Sequence, residues 1–239
     1  MNTGDVCMNQ HTQHELPVEA LDYPLPEGSI ATRPVEPRDA ARLMVIRRSS
    51  DTVEHRSVCD LPAYVDRHDA MVFNTTSVLP ARLEARRRDS GGRVEGLFVH
   101  QDNEKRWRVM LRSNGRLRAG QRLDLMDQAG GATSYVLELV EQRGGQWIVR
   151  PIGDQDPLTV LDEVGRTPLP PYIRRARSGS DPGDELDRAW YQTVYADPAS
   201  AGSVAAPTAG LHFTPRLLQQ LTDKGVERID VRLDVGPGT

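Results

Sequence analysis

The sequence predicts a chain of the α/β class into which an antiparallel all-β domain is inserted. Between residues 82 and 152, short apolar runs recur with turn residues between them, as expected for a small antiparallel barrel or sandwich. Short apolar runs precede this region, and a well-delimited helix followed by an alternating strand comes after it. The all-β region is therefore predicted to interrupt a core of strands and helices.

The predicted all-β domain contains five apolar runs. They span residues 94–99, 107–111, 122–126, 135–140 and 147–149. Turns are predicted at Gly91-Gly92, Asn114-Gly115, Gly130-Gly131 and Gly144-Gly145, because Gly and Asn tolerate the backbone angles of hairpin turns.

The flanking segments predict strands, helices and loops. Residues 42–47 hold an apolar run typical of a buried strand, and residues 71–73 form a second short run. Residues 61–65 can make a helical turn with Pro62 in its first position. Residues 153–170 form a return segment punctuated by Pro and Gly, and residues 178–183 form a polar loop.

The first helix predicted after the return segment spans residues 185–195. Its possible apolar face consists of Leu186, Trp190 and Val194, at a spacing of four.

The clearest helix spans residues 214–225. Thr214 fits its N-cap, Pro215 its first turn and Gly225 its C-terminal end. Residues 226–235 then alternate as a half-buried strand, which we expect to lie at a sheet edge.

Composition excludes several classes of protein. The chain has 239 residues and a formal net charge of −4, so any phosphate contact depends on local basic patches. Cys7 and Cys59 lie far apart, which suits the reducing cytoplasm that we predict as the localisation. No apolar run reaches membrane-spanning length, so no membrane partner is expected. The polar residues 1–20 do not form a signal peptide and are predicted to be a disordered tail.

The segment 202–214, GSVAAPTAGLHFT, carries the strongest functional signal. Its small side chains let a ligand approach the backbone closely, and amides at the start of the following helix favour negative charge or a carbonyl oxygen. His212 could move a proton near neutral pH. The alternative interpretation is a tightly packed Ala/Gly loop with one structural histidine.

This segment resembles the signature of the S-adenosylmethionine:tRNA ribosyltransferase-isomerases of queuosine biosynthesis. Seven further blocks follow the family's order and approximate spacing: LDYPLP (21–26), RDAARLMVI (38–46), DLPAYV (60–65), VFNTTSVLPARL (72–83), GGRVEGL (91–97), PLPPYIRR (168–175) and YQTVYA (191–196). The resemblance covers residues 20 to 239. It implies a discontinuous α/β core, residues 21–81 and 153–239, with a β-barrel over residues 82–152 set into it.

The resemblance also implies a reaction. S-adenosylmethionine acts as co-substrate and donates its ribosyl moiety to 7-aminomethyl-7-deazaguanine at the wobble position of tRNA. Isomerisation then gives epoxyqueuosine-tRNA, with release of adenine and methionine. The expected partner is tRNA carrying the deazaguanine base, no metal is required, and a monomer is favoured. The sulfonium acidifies the neighbouring ribose carbon, so a general base with a pKa near the working pH is needed.

Catalytic roles are predicted for His212 and Thr208. His212 is the candidate base, although a histidine that caps backbone carbonyls would look the same in the sequence. Thr208 could hydrogen-bond the ribose or base, or it could support the turn at Pro207. The backbone around Ala206, Pro207 and Gly210 could offer amides to a ligand oxygen.

Two other blocks contribute predicted substrate-binding residues. Tyr172 offers a flat face for stacking and Arg174 a cation for phosphate, although the same segment serves as a proline-rich linker. Tyr191, Gln192 and Thr193 could read the edge of a base, or they could belong to an ordinary helix with Tyr191 in the core.

A basic group near the barrel entrance is the predicted RNA contact. It consists of Arg82, Arg86, Arg87 and Arg88, and Arg175 in the block 168–175 is a further predicted RNA contact. Such a run is usually a solvated surface, but if it contacts RNA, affinity should fall with salt. Arg38 and Asp39 could form an ion pair or touch the substrate.

Several positions depart from the family's pattern. Asp234 stands where the family typically has a histidine, Thr75 and Ser77 where Asp and Arg are usual, and Trp190 where Arg is usual. Family members also usually run longer. The alternative function is therefore a shortened, non-catalytic relative that binds tRNA or a partner without turnover.

Overall fold

The computed structural model describes residues 17–26, 28–173 and 183–237. The chain divides into two compact units, one up to Ala31 and one from Thr32 onward. In the first unit, Val18–Leu21 forms a 3-10 turn without buried side chains. Most of the predicted tail, residues 1–16, lies outside the described residues.

The second unit contains twelve strands and three α-helices among its described residues. In chain order they are β1 (Arg42–Arg47), β2 (Thr52–Ser57), β3 (Ala70–Asn74), β4 (Ser77–Val78), β5 (Arg82–Arg87), β6 (Arg93–Gln101), β7 (Trp107–Ser113), β8 (Arg122–Met126), β9 (Ala132–Arg143), β10 (Gln146–Pro151), α1 (Pro157–Val164), α2 (Asp184–Trp190), β11 (Ala201–Ser203), α3 (Pro215–Asp223) and β12 (Glu227–Val231). Short 3-10 turns connect several of them.

Strands β5 to β10 close into a six-stranded barrel in the order β10-β7-β6-β5-β8-β9, with every neighbouring pair antiparallel. Alternate residues along each strand point inward and pack at high density. The most deeply buried of them are Leu83, Val94, Trp107, Val109, Leu123, Leu125, Leu137, Leu139 and Val149. The predicted α/β class with an antiparallel β-barrel is confirmed.

One predicted hairpin is wrong. Gly144 and Gly145 both have positive φ and join neighbouring strands β9 and β10, as expected. The pair Asn114-Gly115 instead begins the connection from β7 to β8, which are separated in the barrel by β6 and β5. Residues 114–121 must therefore cross one end of the barrel.

Among the described residues, the strands outside the barrel form three two-stranded sheets. β1 pairs with β2 antiparallel, whereas β3 pairs with β12 and β4 with β11 in parallel. The strand predicted at residues 42–47 exists, but the expectation that it is buried is wrong. Met44 is 59% exposed and Ile46 is 63% exposed, because within the described residues β1 pairs along one edge only and its side chains alternate in burial.

The helix α1 lies within the segment predicted as a return loop. Asp156 caps it by accepting a hydrogen bond from the Thr159 amide, and Pro157 occupies its first turn. Its buried residues Val160, Leu161 and Val164 pack against the barrel core. This 3-4 spacing after an Asp-Pro cap was the available signal.

The helix predicted at residues 185–195 is shorter, and its predicted apolar face is wrong. α2 buries Asp187, whereas Leu186 is 45% exposed and Val194, beyond the helix, is 41% exposed. The residues downstream leave the helix, so the spacing of four no longer places Val194 on a common face.

The helix predicted at residues 214–225 is confirmed. The Thr214 hydroxyl accepts from the Leu217 amide at 3.1 Å, and Gly225 adopts a φ of 85° after the helix. Leu217 and Leu221 are buried beside Phe213 and Phe73 in a second core.

The strand predicted at residues 226–235 is shorter and more exposed than expected. β12 ends at Val231, Ile229 is 40% exposed and Leu233 is 64% exposed. Its hydrogen bonds to β3 run along one edge, so it is an edge strand in the described sheet.

A 3-10 helix, Val58–Ala63, occupies the position of the turn predicted at residues 61–65. Pro62 lies inside it rather than at its start. Ser57 and Asp60 form a reciprocal capping box at its N-terminus, which moves the start of the helical turn upstream.

Candidate functional site

The segment 202–214 leaves β11 and makes a 3-10 turn, Thr208–His212, before Thr214 begins α3. Thr208 and His212 are exposed at this turn, whereas Ala206 and Gly210 are buried. Among the described residues, the His212 imidazole makes no hydrogen bond and is open to solvent. The side chains at 208 and 212 can therefore reach a ligand without displacing core residues.

Gly210 is required by close packing. A Cβ at this position would overlap the Tyr195 hydroxyl oxygen and would lie 3.0 Å from Cγ2 of Thr193. Tyr195 in turn packs edge-to-face against Phe73, with ring centroids 4.9 Å apart. The turn that carries Thr208 and His212 is thus held against the second core.

Three of the motif blocks meet at Tyr191. Its ring is buried, and its hydroxyl lies near the backbone amide of Ala206. Burial raises the pKa of Tyr191, the Ala206 amide partly opposes this, and nearby Tyr172 raises it further. Tyr172 itself is 56% exposed. An exposed aromatic face, a buried tyrosine and the small-residue segment therefore share one location.

Replacing Tyr191 with Phe should lower the free energy of unfolding by about 1 kcal/mol, because the hydroxyl contact to the Ala206 amide is lost. Since the folded-state pKa of Tyr191 is raised, its stabilising effect is complete below the unfolded value of about 10 and is lost as pH rises through the folded value. The variant should therefore lose less stability between about pH 8 and pH 11 than the original chain does. Urea unfolding across this range measures both effects.

Tyr172→Phe is the matched control, because Tyr172 is mostly exposed. It should leave the unfolding free energy at neutral pH unchanged. Equal effects of the two substitutions would show that the Tyr191 hydroxyl has no special role.

Gln192 and Thr193 differ in how their polar groups are used. The Gln192 side chain accepts from the Val78 amide at 3.0 Å and donates to the Ser77 hydroxyl at 2.9 Å, so it ties α2 to β4. Thr193 is 4% exposed, and its hydroxyl oxygen is buried without a hydrogen-bond partner among the described residues. Of these two residues, only Thr193 has a side-chain hydroxyl without a partner among the described residues. Recognition of a base by Gln192 or Thr193 stays a prediction.

Arg38 and Asp39 have structural roles that the sequence left open. Arg38 donates to the carbonyls of Ala189 and Gln192, both at 2.6 Å, at the C-terminal end of α2. Asp39 is 1% exposed and accepts from the Thr214 hydroxyl at 2.9 Å and from Arg216 at 2.8 Å. The two residues do not pair with each other but position the end of α2 and the start of α3.

Asp234 lies against the beginning of the signature segment. Its carboxylate accepts from the Thr76 hydroxyl at 3.0 Å, and a Cβ at Gly202 would lie 2.6 Å from its Oδ1 atom. The Thr76 hydroxyl also hydrogen-bonds that of Ser203 at 2.8 Å. The residue that departs from the family's pattern is therefore accommodated by a polar cluster, which the sequence alone did not indicate.

The predicted arginine group does not form one cluster. Arg82 begins β5, where its backbone pairs with Arg166, whereas Arg87 ends the strand five residues later. A strand rises about 3.3 Å per residue, so the two ends are roughly 17 Å apart. Arg88 forms an ion pair with Asp124.

The remaining basic residues of the prediction have different environments. Arg86 is exposed on β5, and Arg87 donates to the Ser113 hydroxyl and the Gly115 carbonyl. Arg174 and Arg175 lie outside the described residues.

The described residues offer neither a cluster of metal ligands nor a membrane-spanning helix. They contain no group of three or more His, Cys, Asp or Glu side chains arranged to hold a metal ion. No described helix has the length and apolar character needed to cross a membrane.

The chain is similar to proteins of one family along nearly all its length. A family model described as queuosine biosynthesis protein matches residues 18–239. The S-adenosylmethionine:tRNA ribosyltransferase-isomerase of Heliobacterium modesticaldum is 43% identical over 222 residues, which cover 93% of this chain and 61% of the relative. The enzyme of the same name from Gloeobacter violaceus is 42% identical over 221 residues, covering 92% and 58%.

A solved structure gives a similar match in sequence coverage. The S-adenosylmethionine tRNA ribosyltransferase from Thermotoga maritima, known from a crystal structure, is 27% identical in sequence, and its fold matches with a TM-score of 0.34. The match covers 90% of this chain and 57% of that one. The chain spans about 61% of the length of the curated relatives that it matches.

Proposed function

We propose a function on the premise that this chain belongs to the queuosine biosynthesis protein family. The chain transfers the ribosyl moiety of S-adenosylmethionine to 7-aminomethyl-7-deazaguanine at the tRNA wobble position and isomerises it, giving epoxyqueuosine-tRNA. The observation that carries this proposal is the 43% identity to a named ribosyltransferase-isomerase over 93% of the chain. The site geometry supports it, because the buried Tyr191 lies near Ala206 of the signature segment and near the exposed Tyr172.

The substrate-binding surface consists of an aromatic wall and a backbone wall. Tyr172 is exposed and stacks on the adenine or the deazaguanine base. The turn from Ala206 to Gly210 has little side-chain bulk, so its amides approach the ribose or carboxylate oxygens of the co-substrate.

Proton transfer is assigned to the exposed end of the turn. The positive sulfonium acidifies the adjacent ribose carbon, and His212 removes the proton there. Thr208, four residues earlier on the same 3-10 turn, hydrogen-bonds the ribose. These groups require no metal ion. The enzyme works as a cytoplasmic monomer, in the compartment that holds its tRNA substrate.

A second candidate function follows from Asp234. Its carboxylate occupies the position where an imidazole is usual, and it is engaged with Thr76 beside the signature segment. A carboxylate cannot replace an imidazole as a neutral hydrogen-bond donor. This observation favours a non-catalytic relative that binds tRNA without turnover.

Adenine release separates the two candidates. The purified chain is incubated with S-adenosylmethionine and tRNA, either with the deazaguanine wobble base or with unmodified guanine, and free adenine is quantified. The enzyme hypothesis predicts release only with the modified tRNA. Binding of that tRNA without adenine release would contradict the enzymatic proposal and favour the second candidate.

A further inference from the structure

The connection between β7 and β8 borders a cavity that is open to solvent at one end of the barrel. Residues 115–119, together with parts of β7, β9 and β10, line a volume of about 650 Å³. The polar side chains in this lining are Ser113, Arg116, Arg118 and Gln142, and no Asp or Glu lines the described wall. In a chain with net charge −4, this is a local concentration of positive charge.

Internal contacts fix the connection before any ligand binds. Arg87 donates to the Ser113 hydroxyl at 2.8 Å and to the Gly115 carbonyl, and a Cβ at Gly115 would lie 3.1 Å from the Arg87 guanidinium. Leu117 packs against the barrel core. The Arg118 amide donates to the Gln121 side chain at 2.8 Å. Arg87, predicted as an RNA contact, is therefore used to hold this connection in place.

The two arginines beside Leu117 keep their charge available. Arg116 and Arg118 are exposed, and neither guanidinium forms an ion pair within the part of the chain that the structure describes. By contrast, Arg88 and Arg143, at the same end of the barrel, are paired with Asp124 and Glu141. Planar guanidinium groups on a fixed loop suit the oxygens of a phosphate.

The position of the cavity on the barrel favours a polymer as its ligand. It lies at the Arg87 end of β5, whereas the Arg82 end adjoins α1 and the core through the pairing with Arg166. The two ends of this strand are roughly 17 Å apart, so one small substrate in the core cannot span them. An RNA strand carries a phosphate on every nucleotide and can contact both regions at once.

We propose that this cavity binds the phosphodiester backbone of the RNA substrate, through Arg116 and Arg118. The inference rests on the proposed function, because the occupant is the RNA on which the core acts. Since phosphate contacts position an RNA without reading its bases, the contact should be insensitive to the wobble base.

The test measures RNA affinity across salt concentrations. The barrel variant Arg116→Ala/Arg118→Ala is made in the full chain. The control variant, Arg42→Ala/Arg48→Ala, removes two exposed arginines outside the barrel, at the start of β1 and just after it, and changes the net charge equally. The probe is a fluorescently labelled tRNA transcript with guanine at the wobble position. The barrel variant should bind the tRNA roughly tenfold more weakly. The slope of the logarithm of the association constant against the logarithm of the salt concentration should become less steep by about 2. The control variant should keep the affinity and the slope of the original chain.

The conservative variant Arg116→Lys/Arg118→Lys tests the charge itself and should keep most of the salt slope. Unchanged affinity and slope in the alanine variant, with thermal unfolding like that of the original chain, would overturn the proposal. Absence of RNA binding by the original chain would overturn it too. Loss of affinity as expected, without adenine release from modified tRNA, would leave this site standing and contradict only the enzymatic function.

Discussion

Replacing His212 with alanine is expected to lower the rate of adenine release by about 10²–10⁴-fold at saturating substrate, because a positioned general base contributes an effect of this size. His212 is exposed on the Thr208–His212 turn and makes no hydrogen bond among the described residues. Its removal should therefore leave the fold intact. The affinity for tRNA should also change little, since the proposed target of the imidazole is the ribose carbon of the co-substrate.

The matched control is His55→Ala. His55 is an exposed histidine on β2, away from the turn, so this variant should release adenine at the original rate. Single-turnover adenine release and tRNA affinity are measured for both variants, with thermal unfolding to check the fold. Full activity of His212→Ala would remove His212 from the base role. A loss confined to tRNA affinity would make it a binding residue.

The substitution Gly165→Ala is expected to cause the largest loss of stability, about 3 kcal/mol. A Cβ at Gly165 would overlap the backbone carbonyl oxygens of Pro80 and Leu161. A carbonyl oxygen cannot rotate away as the end of a side chain can, so the main chain itself must move. The next residue, Arg166, exchanges hydrogen bonds of 2.8 and 3.0 Å with Arg82, so the displacement reaches the start of the barrel.

Gly92→Ala is the control for Gly165→Ala. A Cβ at Gly92 meets its nearest atoms, on Arg87 and Ser90, at 3.5 Å, which is ordinary van der Waals contact. This variant should stay within about 0.5 kcal/mol of the original chain. Urea unfolding measures both variants. Equal stability of the two would show that the approach of Pro80 to Gly165 does not constrain the fold.

Prediction from the sequence succeeded where the local structure depends on residues that are close together in the sequence. The helix α3 was predicted with its Thr214 cap and Gly225 end because capping groups lie within a few residues of the amides and carbonyls that they serve. Five of the six barrel strands, β6 to β10, followed from the predicted apolar runs, whereas β5 was not predicted. The family was also identified correctly from its motif blocks.

Prediction failed where a distant segment decides burial. The run at residues 42–47 is apolar enough for a buried strand, yet Met44 and Ile46 are exposed in the described hairpin. α1 was missed because its apolar face is short and lies in a segment rich in Pro and Gly, although its Asp-Pro cap was a usable signal. Sequence spacing also cannot show that the Arg87 guanidinium is directed to Gly115, 28 residues away, and its contact with RNA stays a prediction.

The sequence by itself determined the family, the alternation that makes strands β6 to β10 amphipathic, and the caps of α3. Only the tertiary structure decided that the connection from β7 to β8 crosses one end of the barrel, that Asp39 contacts Arg216, and that Tyr191 lies near Ala206. The physical reason is the range of the interactions. Periodicity and capping are satisfied within one or two turns of chain, whereas strand order and buried polar contacts depend on how segments far apart in the sequence pack together.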